Sequence, residues 1–121
     1  MSEQFQTIFE TLRAIYKVHE AACVVEHDEP HRYFLGTHEV REKDGYRTQF
    51  GGVEIKKNYV SAHLMPVYVH PDLLETISPE LKKRMQGKSC FNFKKADEAL
   101  FEELAGLVAA GVKRFEEDGR L

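Results

Sequence analysis

The fold turns on the stretch Asp44-Gly45-Tyr46-Arg47-Thr48-Gln49-Phe50-Gly51-Gly52-Val53-Glu54-Ile55-Lys56-Lys57-Asn58-Tyr59-Val60-Ser61-Ala62-His63-Leu64. Asp-Gly supplies the positive φ of a tight hairpin turn, so Asp44-Gly45 joins a strand over residues 32–40 to one over residues 46–57. Inside the second strand, Gly51-Gly52 marks a bulge or a close backbone approach. Lys57-Asn58 then turns the chain into a strand over residues 59–69. Side chains alternate across a sheet. Val60, Ala62, Leu64 and Tyr68 should therefore point one way, and Ser61, His63 and Met65 the other, which makes the second face the more polar. A strand over residues 22–27 precedes these, set off by Asp28-Glu29-Pro30, where proline cannot donate to a ladder.

Outward from this sheet the period changes to that of helices. Phe5, Ile8, Phe9, Leu12, Ile15 and Tyr16 recur every three or four residues, which predicts an amphipathic helix over residues 4–20, with Ser2 as N-cap and Glu3 favouring the positive end of its dipole. Asp72 can cap residues 73–77, and Ser78-Pro79-Glu80 is a helix start that Gly87 stops. Residues 89–94 alternate Cys90, Asn92 and Lys94 against Phe91 and Phe93, a short strand. Asp97 then caps a long helix with Leu100, Leu104, Leu107, Val108 and Phe115 as its buried stripe, and with Ala105 and Gly111 permitting close approach. The order α-β-β-β-β-α-α-β-α predicts one α+β domain over residues 1–121, an antiparallel sheet of about five strands flanked by N- and C-terminal helices.

Composition narrows the function classes. The chain has 121 residues, 42% hydrophobic and 31% charged, which suits one globular domain able to bury a core without disulfide staples. Seventeen Lys and Arg against twenty Asp and Glu leave a net charge of −3, so a generic polyanion binder is disfavoured and nucleic acid is an unlikely partner. No basic leader followed by an apolar run opens the chain, and no stretch nears the roughly 18 apolar residues of a membrane span; a cytoplasmic protein with no membrane partner is expected. Cys23 and Cys90 lie in apolar company, without zinc-finger spacing, and read as buried core thiols.

Residues 50–115 resemble the YdhG-like family of small bacterial domains of unknown function. The resemblance is carried by Phe50-Gly51-Gly52-Val53, Tyr59-Val60-Ser61-Ala62-His63-Leu64, Ser78-Pro79-Glu80-Leu81, Gly87-Lys88-Ser89-Cys90-Phe91-Asn92-Phe93 and the closing helix. It implies a curved antiparallel sheet packed against the terminal helices. Some members of that family are described as frataxin-like iron chaperones, and no catalytic residues are established for it. Between residues 21 and 47 the chain departs from the pattern, with Cys23-Val24-Val25-Glu26-His27-Asp28 where members usually carry a Tyr-Gly-x-Pro type segment.

Two places hold candidate site residues. Glu26-His27-Asp28-Glu29-Pro30-His31 concentrates imidazole and carboxylate donors, with His27, Asp28 and His31 as candidate ligands for a divalent metal such as iron or zinc; the plainer reading is a solvated turn. His63 shares the polar sheet face with Ser61 and lies opposite the strand that carries Glu54. With Tyr46 and Tyr59 these could line a cleft for a small molecule, or the face could simply be wet, or could meet a second copy as a homodimer. Lys82, Lys83, Arg84 and Lys88, with Lys94 and Lys95, form a local basic patch that reads as a solvated helix face. No nucleophile elbow or phosphate loop occurs and neither cysteine has an activating neighbour in sequence. Three classes follow: a ligand-, metal- or partner-binding domain, a homodimeric interaction module, or an enzyme with His63 as general base.

Overall fold

In a computed structural model, which describes residues 3–121, Gly45 takes a φ of +71° and the Asp44 carboxylate accepts from the Tyr46 N–H. That turn joins β2 (Arg32–Val40) to β3 (Arg47–Ile55). With β1 (Val24–Glu29), β4 (Val60–Leu64) and β5 (Cys90–Phe93) they form a five-stranded sheet in the order β1-β2-β3-β4-β5, antiparallel at every pairing. Ser2, expected to cap the first helix, lies outside the described residues.

One face of the sheet carries Tyr33, Leu35, Phe50, Val53, Val60, Ala62, Leu64, Phe91 and Phe93, all essentially inaccessible to water. Helices α1 (Glu3–Lys17) and α4 (Glu98–Glu117) cover that face with the apolar stripes their periodicity predicts. Tyr16 and Phe115 both meet Phe50 edge-on, at 6.3 and 6.1 Å between centroids, and Phe93 meets Phe101 at 5.1 Å. Each such ring contributes roughly 1.5–3 kcal/mol by leaving water. Leu100, expected in the stripe, is only half-buried, and Phe101 and Val112 extend the stripe instead.

The strand expected over residues 59–69 ends at Leu64. Pro66 has no N–H to give a ladder but suits the first turn of a helix, and α2 (Met65–Val69) begins there. Tyr68 is therefore an exposed helix residue rather than part of the sheet. A Cβ on Gly111 would sit 3.0 Å from the Pro66 ring, so the missing side chain lets α4 approach α2 closely. A 3₁₀ turn, Pro71–Thr76, follows. Asp72 does not cap it and instead pairs with Arg114 of α4 at 2.7 Å. Ser78 caps α3 (Pro79–Lys82) by accepting from Leu81 N, and Asp97 caps α4 by accepting from Leu100 N. Among the described residues no helix is long and apolar enough to cross a membrane.

Candidate functional site

Two helices cover one face of the sheet; the other face carries the chemistry. Cross-strand register fixes which side chains stand together there. One row reads Glu29, Arg32, Glu54, Ser61 and Asn92, the next His27, Phe34, Gly52, His63 and Cys90. Beyond β5 the chain folds back: Met85 bridges Phe91, Asn92 N donates to Arg84 O at 2.8 Å and Gln86 N donates to Cys90 O at 3.0 Å. Arg84 is thereby placed at the end of the first row, beside Asn92, and Gln86 at the end of the second, beside Cys90.

The second row is an aromatic and thiol cluster separate from the main core. Gly52 has no side chain between Phe34 and His63, so the two rings meet at 5.5 Å between centroids. His27 stands edge-on to Phe34 at 6.2 Å and the Arg32 guanidinium lies over it at 5.4 Å, which leaves Phe34 only 6% exposed on a face without a helix. Next along the row, the Cys90 Sγ lies 2.9 Å from His63 Nδ1. Burial disfavours the charged imidazole and lowers the His63 pKa from its ordinary 6.5; Glu54 opposes this and Lys56 reinforces it. A neutral ring can accept the thiol proton. From the helix side, the buried Tyr16 hydroxyl donates to the His63 carbonyl at 2.7 Å, which holds β4 in place beneath the pair.

The first row ends in a basic groove of about 630 Å³, lined by Tyr59, Lys83, Arg84, Gln86, Asn92 and Lys94 among others. Arg13, Arg41, Arg114 and Arg120 all pair with carboxylates. Among the described residues, Lys83, Arg84 and Lys94 make no such pair within 4.0 Å, so the groove keeps its positive charge unneutralised. Asn92 gives its amide N–H to Gln86 Oε1 at 2.7 Å, while its own Oδ1 is buried without a donor. Arg32 Nε is buried and unpartnered in the same way. Both orphaned atoms belong to the open face, where an unpaired buried polar group costs about 1–3 kcal/mol until something pairs with it.

The predicted site residues divide accordingly. Glu54, Ser61 and His63 share the open face in adjoining rows. Tyr59 stands at its end, in the groove. Tyr46 is remote, exposed in the hairpin loop with the Arg41 guanidinium 4.8 Å from its ring centre. The candidate metal ligands are not brought together, because β1 runs through Glu29 and alternation sends neighbours to opposite faces. Asp28 points to the helix side and pairs with Arg13 at 2.6 Å; His27 points to the open face and contacts Glu29 at 3.2 Å. His31 follows in the exposed turn. Among the described residues no group of three His, Cys, Asp or Glu is arranged to hold a metal.

Cys23 is a buried core thiol as expected, with its pKa pushed up to about 11, chiefly by burial. Cys90 is not: it is half-buried and faces His63. The pair was invisible in the sequence because 27 residues separate its members and only strand register joins them. Arg84 and Asn92 are hidden in the sequence for the same reason: spacing places Arg84 on a solvated helix face, and only the pairing beyond β5 sets it beside Asn92. No family model, curated protein or solved structure matches this chain.

Proposed function

We propose that this protein is a small binding domain that holds a compact anionic metabolite, one that also carries a hydroxyl or amine donor, on the open face of its sheet. The observation that carries this is the buried, unpartnered Asn92 Oδ1 beside the unneutralised Arg84, Lys83 and Lys94. A phosphate or carboxylate would take charge-assisted hydrogen bonds from the cations, and a ligand O–H or N–H would satisfy Asn92. The Tyr59 ring supplies an apolar wall. Arg32 stands four strand spacings from Arg84 along the row, about 19 Å at ordinary strand spacing, too far to share one small anion with it. Free thiols at Cys23 and Cys90 suit a reducing, cytoplasmic setting. The segments that carry the resemblance to the YdhG-like family, residues 59–64 and 87–93, build much of this face.

Thermal unfolding against a panel of phosphate- and carboxylate-bearing metabolites, each beside a neutral isostere, tests this. A true ligand at a hundredfold excess over its Kd adds about 2.7 kcal/mol, and Tm rises on the order of 10 °C for a chain this size. Lys83→Glu and Arg84→Glu should abolish the rise while leaving the unliganded Tm nearly unchanged. A panel with no anion-dependent shift, or a shift that survives both substitutions, rules the proposal out.

A further inference from the structure

We infer that Cys90 is a site of S-thiolation by small anionic disulfides, with the His63 imidazole as proton acceptor. The thiol and Nδ1 are already within hydrogen-bond distance at 2.9 Å. Their positions are fixed from both sides: Tyr16 holds the His63 carbonyl, and the Gln86 N–H holds the Cys90 carbonyl. Glu54 and Lys56 are the charged groups that bear on the imidazole, with opposite effects, and Phe34 shields its ring. The imidazole is thus uncharged at neutral pH, with a lone pair available for the thiol proton. Cys23 is a built-in control, since it is 9% exposed and burial pushes its pKa up to about 11.

The step balances without a further oxidant. As a disulfide R–S–S–R reaches the open face, the Cys90 proton passes to Nδ1 and Sγ attacks one sulfur. The new Sγ–S bond forms while the old S–S bond breaks. The departing thiolate takes the proton back from the imidazolium and leaves as RSH, so Cys90 is oxidised to a mixed disulfide and the released half is reduced. The preference for an anionic disulfide rests on the groove proposed above, because Arg84 lies in the neighbouring row; the thiol–imidazole chemistry does not depend on it.

Oxidised glutathione, which is anionic, and cystamine, which is cationic, are the two probes, applied to the intact chain and followed by intact mass and peptide mapping. One mixed disulfide per folded chain is expected, at Cys90, formed faster with glutathione, and absent from Cys90→Ser. His63→Gln should slow it about a hundredfold, the low end of base assistance. The variant's rate should also climb about tenfold from pH 6.5 to 7.5, as for an unassisted thiol, while the parent's climbs less steeply. Modification of Cys90 no faster than Cys23, or a His63→Gln protein with the parent's rate and pH profile, overturns the dyad. Equal rates with both disulfides, or a glutathione preference that survives Arg84→Glu, overturns the anionic preference and with it the groove, leaving the dyad standing.

Discussion

A methyl group on residue 52 would lie 2.1 Å from the Tyr33 carbonyl oxygen and 2.8 Å from the Phe34 ring. Neither the backbone of β2 nor a ring wedged between two imidazoles and a guanidinium can yield easily, so Gly52→Ala must force β2 and β3 apart locally. Overpacking of this kind costs about 1–3 kcal/mol, and the upper end applies because the obstacle is backbone. Urea unfolding should show that loss. A variant within about 0.5 kcal/mol of the parent would mean that the two strands can separate freely at this point. The Gly51-Gly52 pair was legible as a close backbone approach. What approaches was not, because Tyr33 and His63 reach it through pairings set by the whole sheet. The same holds for the Cys90 thiol, whose neighbour is named by register alone.

Elements fared better where one residue type decides them. Ser78 caps α3 by accepting from Leu81 N at 3.1 Å, and its hydroxyl donates to Glu103 of α4 at 2.7 Å. One hydroxyl therefore ends one helix and ties it to another. Ser78→Ala removes both bonds and should cost about 1–2 kcal/mol, whereas Ser78→Asp keeps the cap but sets a second carboxylate against Glu103. The expected order in chemical denaturation is parent, then Ala, then Asp; an Asp variant as stable as the parent would show that the Glu103 tie is dispensable. Caps, the Asp44-Gly45 turn and the amphipathic stripes were readable because each is a local chemical requirement. The end of β4 has a local cause too: alternation alone predicts strand to residue 69, but the proline at 66 forbids the ladder and begins α2. The donors of the 26–31 cluster suggest a metal, but their place in the sheet does not. Pro30 and His31 form a turn, and the cluster's residues as far as Glu29 occupy β1, an edge strand of the sheet, with a bulge between Val25 and His27. Charged side chains and a bulge there discourage pairing with another chain's edge, which accounts for the cluster without a metal.

At the scale of the molecule the ion pairs join separate elements: Arg13–Asp28 ties α1 to β1, Arg114–Asp72 ties α4 to the 3₁₀ turn, and Asp118 meets both His70 and Arg120. Hydrogen bonds from Arg13, Arg114 and His70 are the main reason that Asp28, Asp72 and Asp118 fall below the usual 3.8. A carboxylate whose pKa is lower in the folded state contributes stability that is present above about 4 and lost as pH falls through the lowered value. His63 has the same sign at higher pH, being lowered from 6.5 mainly by burial, so its share is present above about 6.5 and declines below it. Cys23 has the opposite sign: pushed up to about 11 from 9.0, it contributes fully below pH 9 and is lost as pH rises toward 11. Stability should therefore be greatest between about pH 7 and 9, fall gently below 6.5, fall steeply below 4, and decline again in alkali. Urea midpoints measured from pH 3 to 10.5 check this, and His63→Gln separates the terms. The variant should lose the gentle step below pH 6.5 and keep the steep one below 4, because only the first belongs to the open face. A gentle step that persists in His63→Gln would show that the imidazole titrates as freely in the folded chain as in the unfolded one.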